Sequence, residues 1–274
     1  MRIVAAFVVA TVVGLALVFR ATRRATPRRD DFPWMLEETA KLHVTIVGTL
    51  AGFAFTGVIL IVTLAHEKSA GSAASLDTVI VMFLTAYLYW IGASFLISYL
   101  PHIRASGDFM QRIHFSLATT IEYRTVFLSW FALLPLLQAN GLGHLSGILY
   151  YLLPASLFIG SLLVAMATDG LGLMSIREVY ISAAVSTTIA LLYGALVAGV
   201  FPSARSAYST IYLVVVMFCV NGAGFGLAVF TPASSRYSRA RNFYERYGRE
   251  IIITDMHVTM SILTFLWLAV AGAI

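Results

Sequence analysis

"HVTIVGTLAGFAFTGVILIVTLA", residues 43–65, decides the fold class. It contains no Asp, Glu, Lys or Arg and is long enough for an α-helix to cross a bilayer core, which takes about 20 apolar residues. Its inner part, "GVILIVTLA" (57–65), does not alternate polar with apolar residues as a transmembrane barrel strand would. Hydrocarbon offers the backbone no hydrogen-bond partners, so such a run has to satisfy itself as a helix.

The rest of the chain repeats this pattern. Of 274 residues, 59% are hydrophobic and 11% are charged, against about 25% charged in soluble domains. Apolar runs recur at 3–19, 43–65, 78–100, 119–139, 146–167, 179–201, 208–230 and 254–273. The expected fold is therefore an all-α integral membrane protein, a polytopic bundle of about eight transmembrane helices forming a single domain over 1–274. The first run is followed by "RATRRATPRR" (20–29) rather than by a small-residue cleavage site, so it is expected to be a retained helix and not a signal peptide.

Charge sets the expected orientation. All Lys and Arg except Arg2, Lys68 and Arg205 fall in the connections on one side, mostly in 20–42, 101–124 and 231–253. Basic loops stay in the cytoplasm, which puts both termini outside and the protein in a bacterial-type plasma (inner) membrane. The segment "RYSRARNFYERYGRE" (236–250) interleaves Arg236, Arg239, Arg241 and Arg246 with aromatics. This suits an interfacial helix on the anionic lipids of the cytoplasmic leaflet. No nucleic-acid partner is expected. Segments 20–42 and 231–253 are also the expected surfaces for a protein partner or a second copy.

Several chemistries are excluded by motif. "HEKSA" (66–70) opens like a zinc HExxH but has Ala70 in place of the second His, so the two ligands cannot share a helix face. "GASF" (92–95) ends in Phe95 where a serine-protease GxSG needs Gly, and "TDGLG" (168–172) carries one Asp where an aspartyl dyad needs two. The lone Cys219 allows no internal disulfide and no cysteine metal cluster. Every acidic residue falls at a span end or in a loop of this reading, which argues against a buried carboxylate relay.

Three groups of residues remain as site candidates. Thr49, Thr56, Tyr87, Asn221, Gly222 and Gly224 are polar, aromatic or small residues inside spans. Asn221 sits deep in its run, and the alternating glycines of "CVNGAGFG" (219–226) suggest a helix that opens its backbone to a ligand. Gly48 and Gly52 form a small-xxx-small face suited to close helix packing. His43, Asp255 and His257 form the metal candidate, because "HVT" opens both 43–45 and 257–259 at matching membrane entries. A metal or a haem would need these side chains to converge; no cofactor is expected.

Three functional readings follow. The first is a channel or transporter-like protein with an uncharged intramembrane site. The second is a non-catalytic scaffold, assembly or sensor subunit of a membrane complex. The third is a metalloprotein or enzyme with a His/Asp site at the cytoplasmic face. The absence of any complete catalytic motif weighs against an enzyme.

Overall fold

The computed structural model describes residues 2–22, 36–67, 73–100, 108–170, 176–200, 207–233 and 238–270. Among these residues the protein is all-helical, with eight helices and no strand. They are α1 (Arg2–Thr22), α2 (Leu36–Glu67), α3 (Ala73–Ser98), α4 (Asp108–Ala139), α5 (Gly143–Gly170), α6 (Ile176–Val200), α7 (Ala207–Ala233) and α8 (Ser238–Val270).

Four helices carry stretches long and apolar enough to cross a membrane: Ala40–Thr63, Asp77–Ser98, Thr210–Thr231 and Asn242–Val270. Shorter apolar stretches lie in α1 (Val4–Arg20) and α6 (Tyr180–Leu192). The helices present large side chains outward, among them Phe53, Phe95, Tyr151 and Phe230. A water-soluble surface does not carry such residues in rows; an integral membrane protein does.

Two helices differ from the apolar runs that mark them. The fourth run starts at 119, yet α4 starts at Asp108; the eighth starts at 254, yet α8 starts at Ser238. Of segment 236–250, expected as an interfacial helix, the described residues 238–250 run without a break into the last apolar stretch. Hydropathy marks where a helix meets lipid, whereas the helix continues as long as its residues tolerate helical geometry. Gly248 helps this extension pack. A Cβ there would stand 2.5 Å from Cδ1 of Ile113 and 3.0 Å from Cζ of Phe109, so the bare backbone lets α4 lie close against α8.

Helix α4 is the hub. It touches α3, α5, α7 and α8, while α1 packs on α6 and α8, and α2 packs chiefly on α3. The α4–α5 connection is a tight reversal. Gly141 adopts φ +75°, Gly141 N donates to Gln138 O and Leu142 N to Leu137 O. This is the glycine-terminated helix end that returns backbone bonds to the last turn. At the other end of the bundle Arg249 of α8 pairs with Glu178 in the first turn of α6, where a carboxylate also complements the helix dipole.

Polar side chains join the helices at several depths. Tyr123 Oη donates to Leu157 O at 2.9 Å (α4 to α5), and Tyr244 Oη donates to Leu227 O at 2.8 Å (α8 to α7). His114 of α4 is wholly buried, with Nδ1 2.9 Å from Ala228 O of α7 and Nε2 2.6 Å from Leu96 O of α3. A neutral imidazole carries one N–H and so donates to only one of those two carbonyls.

Candidate functional site

The early start of α4 brings Arg124 to the middle of a long helix and into the bundle interior. Its side chain is fully buried. Nε donates to Asn221 Oδ1 of α7 at 2.5 Å, and Nη1 donates to Asp255 Oδ1 at 2.6 Å and to Thr259 Oγ1 at 2.8 Å, both on α8. Thr259 lies one turn after Asp255 and donates its own proton to Asp255 O at 2.6 Å. Its lone pairs are thereby left for the guanidinium. The Asp255 side chain is 10% exposed.

Asn221 sits near the middle of the apolar stretch Thr210–Thr231, and Asp255 within Asn242–Val270. A charged pair buried inside a bundle is costly and persists only when each charge is matched. The match here is incomplete. Among the described residues, Arg124 Nη2, Asn221 Nδ2 and Asp255 Oδ2 are buried and hydrogen-bond to no protein atom. Two donors and one acceptor are left unused around one guanidinium.

The glycines of α7 give the cluster its room. The helix is continuous from Ala207 to Ala233, so the alternating glycines do not break it as the sequence suggested. They thin it instead. A Cβ on Gly224 would lie 3.0 Å from Arg124 Nη2, and one on Gly222 would lie 3.6 Å from Tyr89 Oη. Tyr89 of α3 uses this space to donate to Phe218 O at 2.6 Å.

The residues singled out from sequence thus separate into distinct places. Asn221 and Gly224 belong to the Arg124 cluster, and Gly222 to the neighbouring Tyr89 contact. Thr49 and Thr56 are exposed on the outer face of α2, each hydroxyl donating at 2.9 Å to the carbonyl one turn earlier (Thr45 O and Gly52 O). Tyr87 packs on Phe55 and lines a groove of about 450 Å³ between α2 and α3, together with Gly48, Gly52 and Trp90. Gly48 and Gly52 face open space rather than a packed helix. A second groove of about 380 Å³, lined by Phe53, Phe83 and Trp130 among others, is almost wholly apolar.

His43, Asp255 and His257 do not converge. His43 Nδ1 meets Glu122 Oε2 of α4 at 2.8 Å, and Asp255 is engaged by Arg124. His257 is held at Nδ1 by Ser186 Oγ of α6 and at Nε2 by Thr11 O of α1, 2.8 Å away. Its role is to tie α1, α6 and α8 together. No group of three or more His, Cys, Asp or Glu suited to a metal forms among the described residues. Of the basic segment, Arg246 is exposed and lies 5.5 Å over the Tyr247 ring. Arg236 lies outside the described residues, as do residues 23–35 of the other basic segment and the side chains of Arg239 and Arg241.

The sequence reading missed Arg124, and named Asp255 only as a metal candidate, because it placed every ionisable group at a span end. The signal was present: "TTIEYRTVFL" (119–128) sets Glu122 and Arg124 inside an apolar context, and intramembrane charges pair with one another. Two of the expected site residues, Asn221 and Gly224, lie beside the charged pair Arg124–Asp255. No family model matches the chain, and no curated protein or solved structure resembles it significantly.

Proposed function

We propose that the chain is a multi-pass membrane transport protein whose ligand site is the Arg124–Asp255–Asn221–Thr259 cluster. The observation that carries this reading is a wholly buried guanidinium, matched by one carboxylate and left with unused donors. An ionisable cluster of this kind inside a bundle marks a solute or ion pathway more often than a packing device. It also lies where three helices meet, so a small relative shift of α4, α7 and α8 would open it. In this reading all eight helices cross or enter a bacterial-type plasma membrane. The basic connections face the cytoplasm and its anionic lipids, and both termini face outward, as the Lys and Arg distribution favours.

The test is solute entry into vesicles reconstituted with the purified chain. Light scattering after an external jump in formate, chloride, urea or glycerol reports entry. Wild type should speed entry of at least one of these solutes, and Arg124→Gln should abolish the gain. Wild-type vesicles no faster than empty ones for all four would overturn the reading.

A second reading, a non-catalytic subunit of a membrane complex, is favoured by one feature. Helix α2 packs chiefly on α3 and leaves Gly48 and Gly52 open to a neighbouring helix. Inert vesicles together with recovery of the chain only as a larger assembly would support it.

A further inference from the structure

We infer that the Arg124 cluster takes a small planar anion with two oxygen acceptors, a carboxylate, and takes it together with one proton held by Asp255. This rests on the reading of the cluster as a ligand site. The unused atoms supply the argument. Arg124 Nη2 and Asn221 Nδ2 are buried donors without a protein acceptor, carried by side chains already joined through Arg124 Nε and Asn221 Oδ1 at 2.5 Å. A guanidinium joined to an amide offers two separate N–H donor groups, which two oxygens of one planar anion match better than a single point charge does. Gly224 leaves Nη2 free of a covering side chain, since a Cβ there would stand 3.0 Å from it.

The charge balance supplies the proton. Arg124 and Asp255 together are neutral in the bundle interior. An added anion would leave an uncompensated buried negative charge, which is prohibitive. Asp255 Oδ2 is the buried acceptor without a donor, so protonation there restores neutrality. The proton comes from solution with the anion, and no bond to the anion forms or breaks.

The charged and titratable groups nearest the cluster have other partners, among them His114 of α4, which meets Ala228 O and Leu96 O. On α3, Tyr89 donates to Phe218 O. Glu122 of α4 and His43 of α2 hold each other. His257 on α8 is turned to Ser186 of α6 and Thr11 of α1. Arg249 on α8 is paired with Glu178 of α6. Cys219 of α7 is exposed.

The experiment is titration of the detergent-purified full chain with sodium formate, by calorimetry in two buffers of different ionisation enthalpy. Wild type should bind formate with about one proton taken up per anion. Asp255→Asn should still bind formate but take up none. Arg124→Gln should lose binding while eluting from a sizing column like wild type. Absence of formate binding by wild type, binding without proton uptake, or undiminished uptake in Asp255→Asn would each overturn the inference. The wild-type titration decides even where a variant fails to fold. Failure of the transport reading is seen separately. Vesicles that pass formate without proton-linked binding keep transport and remove the coupling, whereas proton-linked binding with inert vesicles does the reverse.

Discussion

Gly224 of α7 faces Arg124 of α4 so closely that a Cβ on the glycine would stand 3.0 Å from Nη2 of the guanidinium. Two residues along, Gly226 meets nothing within 4 Å. The pair makes an internal control. Alanine favours a helix interior over glycine by about 1 kcal/mol, so Gly226→Ala should leave stability unchanged or raised. Gly224→Ala should lower it, because a fully buried Arg cannot retreat without losing Asn221 or Asp255. Thermal unfolding of the two variants in the same detergent checks the contrast, and equal effects would refute it.

The Arg124–Asp255 pair should behave as a unit. Removing one member of a buried pair costs about 3–5 kcal/mol, because the other charge is left unmatched. Arg124→Met and Asp255→Leu should therefore each be strongly destabilising, and the double variant should be less so than the sum of the two. Chemical unfolding of the four proteins gives the coupling directly. Additive losses would mean that the two residues do not share one site.

Much of the fold was legible in the sequence, for a physical reason. Lipid forces apolar runs into helices, so "GVILIVTLA" and its counterparts mark α2 and the other elements. The site was legible only in half. Asn221 and Gly224 stood out because amides and glycines are conspicuous in a hydrocarbon run. Arg124 did not, and Asp255 did only as a metal candidate, because both fall near the start of the fourth and eighth runs and so looked like boundary residues. Helices α4 and α8 start well before their apolar runs and carry these charges to mid-helix. The "HVT" echo had no shared cause: His43 faces Glu122, and His257 faces Ser186 and Thr11. Pairing across helices is a long-range fact that local pattern does not contain.

Tyr89 offers a narrower test. Its hydroxyl donates to Phe218 O at 2.6 Å, one turn from Asn221 on α7. Tyr89→Phe keeps the ring contact with Phe218 and removes only the hydroxyl. Loss of one such bond costs about 0.5–1.5 kcal/mol. A modest drop in unfolding midpoint is expected, with formate titration little altered. A loss comparable to that of Asp255→Leu would instead place Tyr89 within the charged cluster.

The attachment of α1 can be tested at Gly14. A Cβ there would overlap Cε1 of His257 and lie 2.9 Å from its Nε2, the atom that meets Thr11 O. Ile189 of α6 closes the other side, its Cδ1 3.4 Å from the same point. The His257 ring has little freedom to move away, since Ser186 holds its other nitrogen. Gly14→Ala should therefore separate α1 from α6 and α8, at the cost of about 1–3 kcal/mol typical of overpacking. Gly52→Ala on α2, where nothing lies within 4 Å, is the matched control. Limited proteolysis of the reconstituted protein reads the outcome. Faster release of the first helix in Gly14→Ala, with Gly52→Ala like wild type, is the expected result. Wild-type cleavage in both variants would mean that α1 is not held through His257.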